Sequence, residues 1–165
     1  MQAPWTLVIV LLITNLLATV YFGMREQQPS QSPIQQVQST GDELPAVINT
    51  RVKQALYDRF VEGFNKADYD GLYNMLGPVA RAQFSREQTI EQFEKLVRYF
   101  QGIEEGGFTH SELANTQGST RIYVLYYSVR FAQGSELGEK GTLSISVAVK
   151  GTDHEIYGIR LYAGQ

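Results

Sequence analysis

The sequence predicts an α+β domain in which helices come first and a meander of antiparallel strands follows. Apolar residues recur at helical spacing from about Asp42 to Gln101, and beyond Gly102 the period changes to two. Glycine-containing turn signals then separate the alternating stretches by lengths that suit antiparallel hairpins. Helices followed by such a meander pack together on one face of the sheet. An uncharged stretch from Trp5 to Met24 adds one transmembrane helix ahead of this domain.

The apolar stretch is twenty residues long, and at ~1.5 Å per helical residue that length matches a hydrocarbon core of ~30 Å. Trp5 and Tyr21 stand near its two ends, where amphipathic rings favour the headgroup layer. A cleavable signal peptide is the competing reading. Against it, no Lys or Arg precedes the apolar run, and neither Ala18-Thr19-Val20 nor Tyr21-Phe22-Gly23 offers a small-x-small cleavage site. Residues 1–25 are therefore read as an anchor, residues 26–44 as a linker and residues 45–165 as the folded domain. The linker is rich in Gln, Ser and Pro and too poor in apolar side chains to bury a core. Flanking charges, the amino terminus on one side and Arg25 with Glu26 on the other, hardly orient the span. A short-tailed anchor followed by a tether is expected to present an exported domain. The expected location is a bacterial inner (cytoplasmic) membrane, with the domain facing the periplasm or the exterior. Within the span, Asn15 is either a tolerated polar residue or a hydrogen-bonding contact to a neighbouring helix.

A net charge of -3 with acids and bases interspersed gives no basic field for a nucleic-acid backbone, so no nucleic-acid partner is expected. The chain has no cysteine, which excludes disulfides, thiolate metal ligands, a lipoprotein attachment cysteine and thiol catalysis.

In the domain, Ile48, Val52, Leu56, Phe60 and Phe64 recur at four-residue spacing and mark one face of a first helix. Its other face carries Arg51, Lys53, Asp58, Arg59, Glu62 and Lys66, a solvated surface. A second, short helix has Asp68 as its N-cap, Leu72, Tyr73 and Leu76 as apolar contacts, and Gly77-Pro78 as its stop. Pro78 in turn opens a further turn of helix up to Phe84. Ser85 with Gln88 three residues on forms a capping box. The stripe Ile90, Phe93, Leu96, Val97 and Phe100 then runs to Gly102, the expected left-handed terminator, so the third main helix spans about Arg86 to Gln101.

Gly106-Gly107 introduces a weak first strand through about Thr116. In the second strand Tyr123, Leu125, Tyr127, Val129 and Phe131 form the core face, and in the third Leu143, Ile145, Val147 and Val149 do so. Thr142, Ser144 and Ser146 give the third strand a polar face that suits a docking surface. Alternation over the last strand, about Glu155 to Tyr162, turns Tyr157, Ile159 and Leu161 inward.

The segment from Phe60 to Ser85, FVEGFNKADYDGLYNMLGPVARAQFS, resembles the first half of NTF2-like domains, with Asn65, Asp68-Tyr69, Leu72 and Tyr73 at the corner between two helices. With the strand meander, the resemblance covers residues 47–165. It implies an NTF2-like (cystatin-like) cone: about three N-terminal helices covering a curved four-stranded antiparallel sheet, with an apolar cavity between. The chain departs from common members because its helices precede the sheet with no strand pair between them. That looks closer to the small accessory branches, including those of unknown function, than to the transport factor itself. Membrane-anchored NTF2-like subunits of secretion machines share the order of anchor, tether and domain.

Relatives similar to ketosteroid isomerase or polyketide cyclases imply a carboxylate or histidine in the cavity beside a tyrosine that polarises a carbonyl. Tyrosines suit the second role, but the only nearby titratable set is His110 with Glu112, which alternation places on one face of the first strand with Phe108. A surface position suits that pair better. His154, beside Asp153, belongs to a hairpin turn. No spaced cluster predicts a metal site, no cofactor is expected, and neither a G-x-S-x-G nor a P-loop occurs. The candidate ligand-binding residues are Tyr57, Phe60, Phe64, Tyr123, Tyr127 and Tyr157. The expected function is a membrane-anchored, extracytoplasmic binding or assembly module without catalytic activity. Its expected partners are the membrane through Trp5 to Met24, an envelope protein or a second copy, and a small apolar ligand. The alternative is a small-molecule cavity enzyme of the isomerase or cyclase kind.

Overall fold

The structure, a computed structural model, describes residues 43–164. The anticipated span at Trp5 to Met24 and the linker up to Asp42 lie outside the described residues. Among those described, no helix is long and apolar enough to cross a membrane.

Four helices precede four strands. Helix α1 is Thr50–Asn65, α2 is Tyr69–Met75, α3 is Pro78–Arg81 and α4 is Arg86–Phe100. Strands β1 (Ile103–Gln117), β2 (Thr120–Phe131), β3 (Lys140–Lys150) and β4 (Asp153–Ala163) follow. They form one antiparallel sheet in the order β1-β2-β3-β4. The α+β order read from the sequence holds.

Local chemistry sets the helix ends. The Asn49 side chain accepts the Val52 N–H at 3.1 Å, so α1 starts at Thr50 and Ile48 lies just ahead of the helix. Ile48 is nonetheless only 2% exposed and belongs to the core. Asp68 caps α2 by accepting the Gly71 N–H at 2.9 Å, and Pro78 occupies the first turn of α3, where its missing N–H costs nothing. At α4 the capping box is reciprocal: the Gln88 N–H donates to Ser85 Oγ at 3.2 Å and the Ser85 N–H to Gln88 Oε1 at 3.0 Å. The left-handed terminator sits one residue earlier than expected. It is Gln101, at φ 62°, whose side-chain amide donates to the Arg98 carbonyl at 2.5 Å. Gly102 follows at φ 153°, a conformation that favours glycine.

With the chain reversed so tightly, β1 begins at Ile103, ahead of the expected Gly106. Asn65, the last residue of α1, holds it there. Its Nδ2 donates to the Ile103 carbonyl and its Oδ1 accepts the Ile103 N–H, both at 2.8 Å. A side-chain amide thus pairs with Ile103 as a neighbouring strand would. Nearby, the rings of Phe100 and Phe131 pack with centroids 4.4 Å apart, and the Ala132 N–H donates to the Gly102 carbonyl at 2.9 Å.

The sheet is bent by register breaks. Strand β1 slips against β2 between Ile103 and Glu105, between Phe108 and His110, and between Leu113 and Asn115, and each extra residue kinks the strand. A further slip against β4 falls between Ser146 and Val147. The inward faces of β2 and β3 carry the buried residues expected of them, and these merge with Phe60, Phe64, Leu72, Phe93 and Phe100 into one core cluster.

The break in β4 corrects one expectation. Gly158 pairs with Ser146 and Ile156 with Val147, leaving Tyr157 as the extra residue. Ile156 therefore turns inward beside Ile159, while Tyr157 stays half-buried outside the core cluster.

Replacing Asn65 by Ala removes both bonds to Ile103. At about 1 kcal/mol per bond, unfolding in urea should show a loss of about 2 kcal/mol with an unchanged slope.

Candidate functional site

Five of the six residues predicted for a ligand site face the interior, and four form two ring pairs. Tyr57 from α1 stacks on Tyr127 from β2, with centroids 5.4 Å apart and planes at 26°. Phe60 and Phe64, one helical turn apart, stack at 5.5 Å. Tyr123 is fully buried on β2, in register with Leu113 on one side and Val147 on the other. Tyr157 is not brought to this set, for the reason given above.

The tyrosine hydroxyls have different fates. Tyr127 donates to the Lys53 carbonyl at 2.9 Å, a bond that ties the sheet to the first turn of α1. Burial pushes its phenol well above the usual tyrosine range. Burial also raises Tyr57, with smaller contributions from the Asp58 and Glu105 charges. Room for the Tyr57 hydroxyl comes from Gly106, where a Cβ would lie within 2.6 Å of it. The Tyr123 hydroxyl has no hydrogen-bond partner, and it is the single buried side-chain oxygen or nitrogen so placed among the described residues.

Two contributors escaped the sequence reading. Phe108 meets Tyr127 edge-on at 5.7 Å, and the Lys53 ammonium sits 4.0 Å above the Phe108 ring. Lys53, read as part of a solvated face, thus covers an aromatic ring with its side chain and accepts a tyrosine hydrogen bond with its backbone. No side-chain pattern announces a backbone carbonyl. Phe108 was placed with His110 and Glu112 by alternation, and the slip at Thr109 separates them.

That slip sends His110 and Glu112 to the opposite, open face of the sheet. There the His110 ring stacks on Tyr126 at 4.5 Å and 11°. The Tyr126 hydroxyl donates to Glu112 at 3.3 Å, and Glu112 lies 3.6 Å from His110 Nε2. The Thr109 hydroxyl donates to the Tyr126 carbonyl at 3.0 Å and lies within hydrogen-bond distance of His110 Nδ1, at 3.1 Å. This exposed group shares no face with the interior tyrosines. His154 is also exposed, at the start of β4. Among the described residues no three His, Asp or Glu side chains converge to hold a metal ion.

The fold and interior together define a class: a curved antiparallel sheet covered on one face by helices, with an aromatic, tyrosine-bearing interior. No protein-family model matches the chain, and no curated protein matches it in sequence. Among solved structures, the chain is similar to Aln2 from a Streptomyces species, with a TM-score of 0.45 and 11% identity. The match covers 68% of this chain and 89% of that one.

The buried Tyr127 phenol makes stability depend on alkaline pH. Its folded-state value lies above the ordinary 10.0, so its contribution is complete below that value and is lost as the unfolded chain ionises above it. Thermal melts should be flat from neutral pH to about 9 and fall from about 10 upward. In Tyr127→Phe the fall should be shallower, although the loss of the bond to Lys53 lowers the whole curve.

Proposed function

We propose that the chain is a membrane-tethered NTF2-like binding module, presented outside the cytoplasm, that takes a small apolar molecule between helices and sheet without transforming it. The observation that carries this reading is the Tyr123 hydroxyl, fully buried and without a partner among the described residues. Leaving a buried hydroxyl unpaired costs about 1–3 kcal/mol. A ligand with one acceptor oxygen would remove that cost, and the apolar neighbours Leu113 and Val147 favour hydrocarbon for the rest of the molecule.

The NTF2-like assignment is supported by the order of helices and strands, by the bends in the meander, and by the corner residues Asn65 and Asp68. Catalysis of the isomerase or cyclase kind requires a carboxylate or imidazole beside an interior tyrosine. Tyr127 meets rings and one backbone carbonyl; the carboxylates whose charges reach Tyr57 are the exposed Asp58 and Glu105, the latter paired with Arg130, while His110 with Glu112 sits on the other face. The anchor is supported by the length and neutrality of Trp5 to Met24 and by the aromatic residues near its ends.

Titration of the full-length chain in detergent with a fluorescent naphthyl ketone, which carries one acceptor on an apolar body, tests the ligand. Saturable binding is expected, and Tyr123→Phe should weaken it about three- to tenfold, the worth of one hydrogen bond. The same change should leave the ligand-free protein as stable as before, or more so. Superimposable titrations for the two proteins would sink this reading.

For the tether, the full chain should stay with carbonate-washed membranes, and removal of residues 1–25 should move it to the soluble fraction. Protease added outside intact spheroplasts should digest the domain. Recovery of the full chain in the soluble fraction would refute the anchor.

A further inference from the structure

The register break at Thr109 does more than turn His110 and Glu112 outward. Residues two apart on a strand share one face, so beyond the break an imidazole and a carboxylate stand side by side on the open sheet. Their side chains are 58% and 61% exposed, and an ion in solution can reach both. Thr109 is the residue that the pairing passes over, between Phe108 and His110.

Each of the two groups is held from behind. The His110 ring lies flat on Tyr126, with centroids 4.5 Å apart and planes at 11°, and its Nδ1 lies 3.1 Å from the Thr109 hydroxyl. That hydroxyl is fixed in turn by the Tyr126 carbonyl, to which it donates at 3.0 Å. On the carboxylate, Glu112 Oε2 accepts the Tyr126 hydroxyl at 3.3 Å. Tyr126 thus supports the pair through its ring, its hydroxyl and its carbonyl. The atoms left over, His110 Nε2 and Glu112 Oε1, stand 3.6 Å apart.

We propose that this pair is a zinc site, with His110 Nε2 and Glu112 Oε1 as ligands and with Thr109 and Tyr126 positioning them. Zinc binds imidazole nitrogen and carboxylate oxygen at about 2.0–2.2 Å. With the two atoms 3.6 Å apart, an ion about 2.1 Å from each subtends roughly 120°, close to the tetrahedral angle of ~109° that zinc adopts. The square-planar geometry of copper(II) needs the two atoms at about 3.0 Å. Magnesium and calcium prefer oxygen ligands throughout.

The outer partners also fit. Ligating imidazoles are hydrogen-bonded through their second nitrogen, and ligating carboxylates are hydrogen-bonded in turn. Coordination through Nε2 puts the proton on Nδ1, beside the Thr109 oxygen that can accept it. An exposed ion pair contributes little and requires no fixed ring, whereas this ring is held on its face and at its edge. Among the described residues no third His, Asp or Glu converges on the pair. Two protein ligands make the site sparser than a structural zinc site, which uses four, so binding is reversible and the remaining positions are open to water or to an outside donor. The site is independent of the interior ligand and of the tether.

The chain has two histidines and no cysteine, which makes the assignment direct. Full-length protein in detergent, titrated with zinc chloride against a chromophoric chelator, should take up one ion per chain. His110→Ala and Glu112→Gln should each weaken binding tenfold or more, and His154→Ala should leave it unchanged. Thr109→Val should weaken it about tenfold, as loss of an outer partner does, and Thr109→Ser should restore it. All these side chains are exposed, so circular dichroism should be the same throughout. Cobalt(II) in place of zinc should give a visible absorption band that His110→Ala abolishes, a signature that a purely structural role for the ring would not produce. Zinc binding by the wild type no tighter than by His110→Ala would reduce the pair to a surface ion pair and overturn the proposal. An equal loss in His154→Ala would put the ion elsewhere and overturn it as well.

Discussion

The contact between Asn65 and Ile103 sets the geometry on which the rest of the domain depends. Through it, the end of the first helix is joined to the start of the first strand by two hydrogen bonds from one side-chain amide. Everything between them, the α2–α3 corner and α4, is a loop closed by that clasp. Gln101 and Gly102 complete the closure with backbone conformations that turn the chain from helix to strand without an intervening loop. The consequence is that all four helices return to the same side of the sheet. Phe60, Phe64, Phe93 and Phe100 can then merge with the inward residues of β2 and β3 into one core.

Two faces of one sheet consequently have different chemistry. Inside, tyrosine rings stack in a nearly anhydrous setting, where a hydroxyl is satisfied by backbone or goes unsatisfied. Outside, polar side chains satisfy one another through Thr109, His110, Glu112 and Tyr126 while remaining in contact with water.

Much of the fold was legible because its signals are local. The capping box at Ser85 and Gln88, the Asp68 cap and the Gly77-Pro78 stop are short-range chemistry, and all are realised as read. So is the inward face of β2 and β3, central strands with a neighbour on each side, although on β3 the outward-facing Ser144 and Ala148 are buried as well. The errors fall where the outcome depends on a partner strand. A bulge is a mismatch between two strands, and nothing within β1 or β4 announces it. Alternation therefore misplaced His110 and Glu112 relative to Phe108, and it exchanged Tyr157 for Ile156. The same limit applied to the candidate site: Phe60, Phe64, Tyr123 and Tyr127 follow from periodicity, whereas the Lys53 carbonyl and the tolerance of Gly106 for the Tyr57 hydroxyl emerge only when the strands are in place.

The edges of the sheet show what the bulges accomplish. Strand β1 presents a fifteen-residue edge, long enough to template a foreign strand, and such edges invite runaway association. Three kinks break its row of free N–H and C=O groups into short, misaligned runs, none of which a straight strand can follow. At the far side the α2–α3 corner closes the other edge, where Leu76 bridges Ile156 and the Gly77 N–H donates to the Ile156 carbonyl at 2.8 Å. Under the tethered arrangement proposed above, with every copy held at high local density, such insulation matters more than it would in dilute solution. The irregularity that misled a period-two reading is thus a safeguard against fibrous growth.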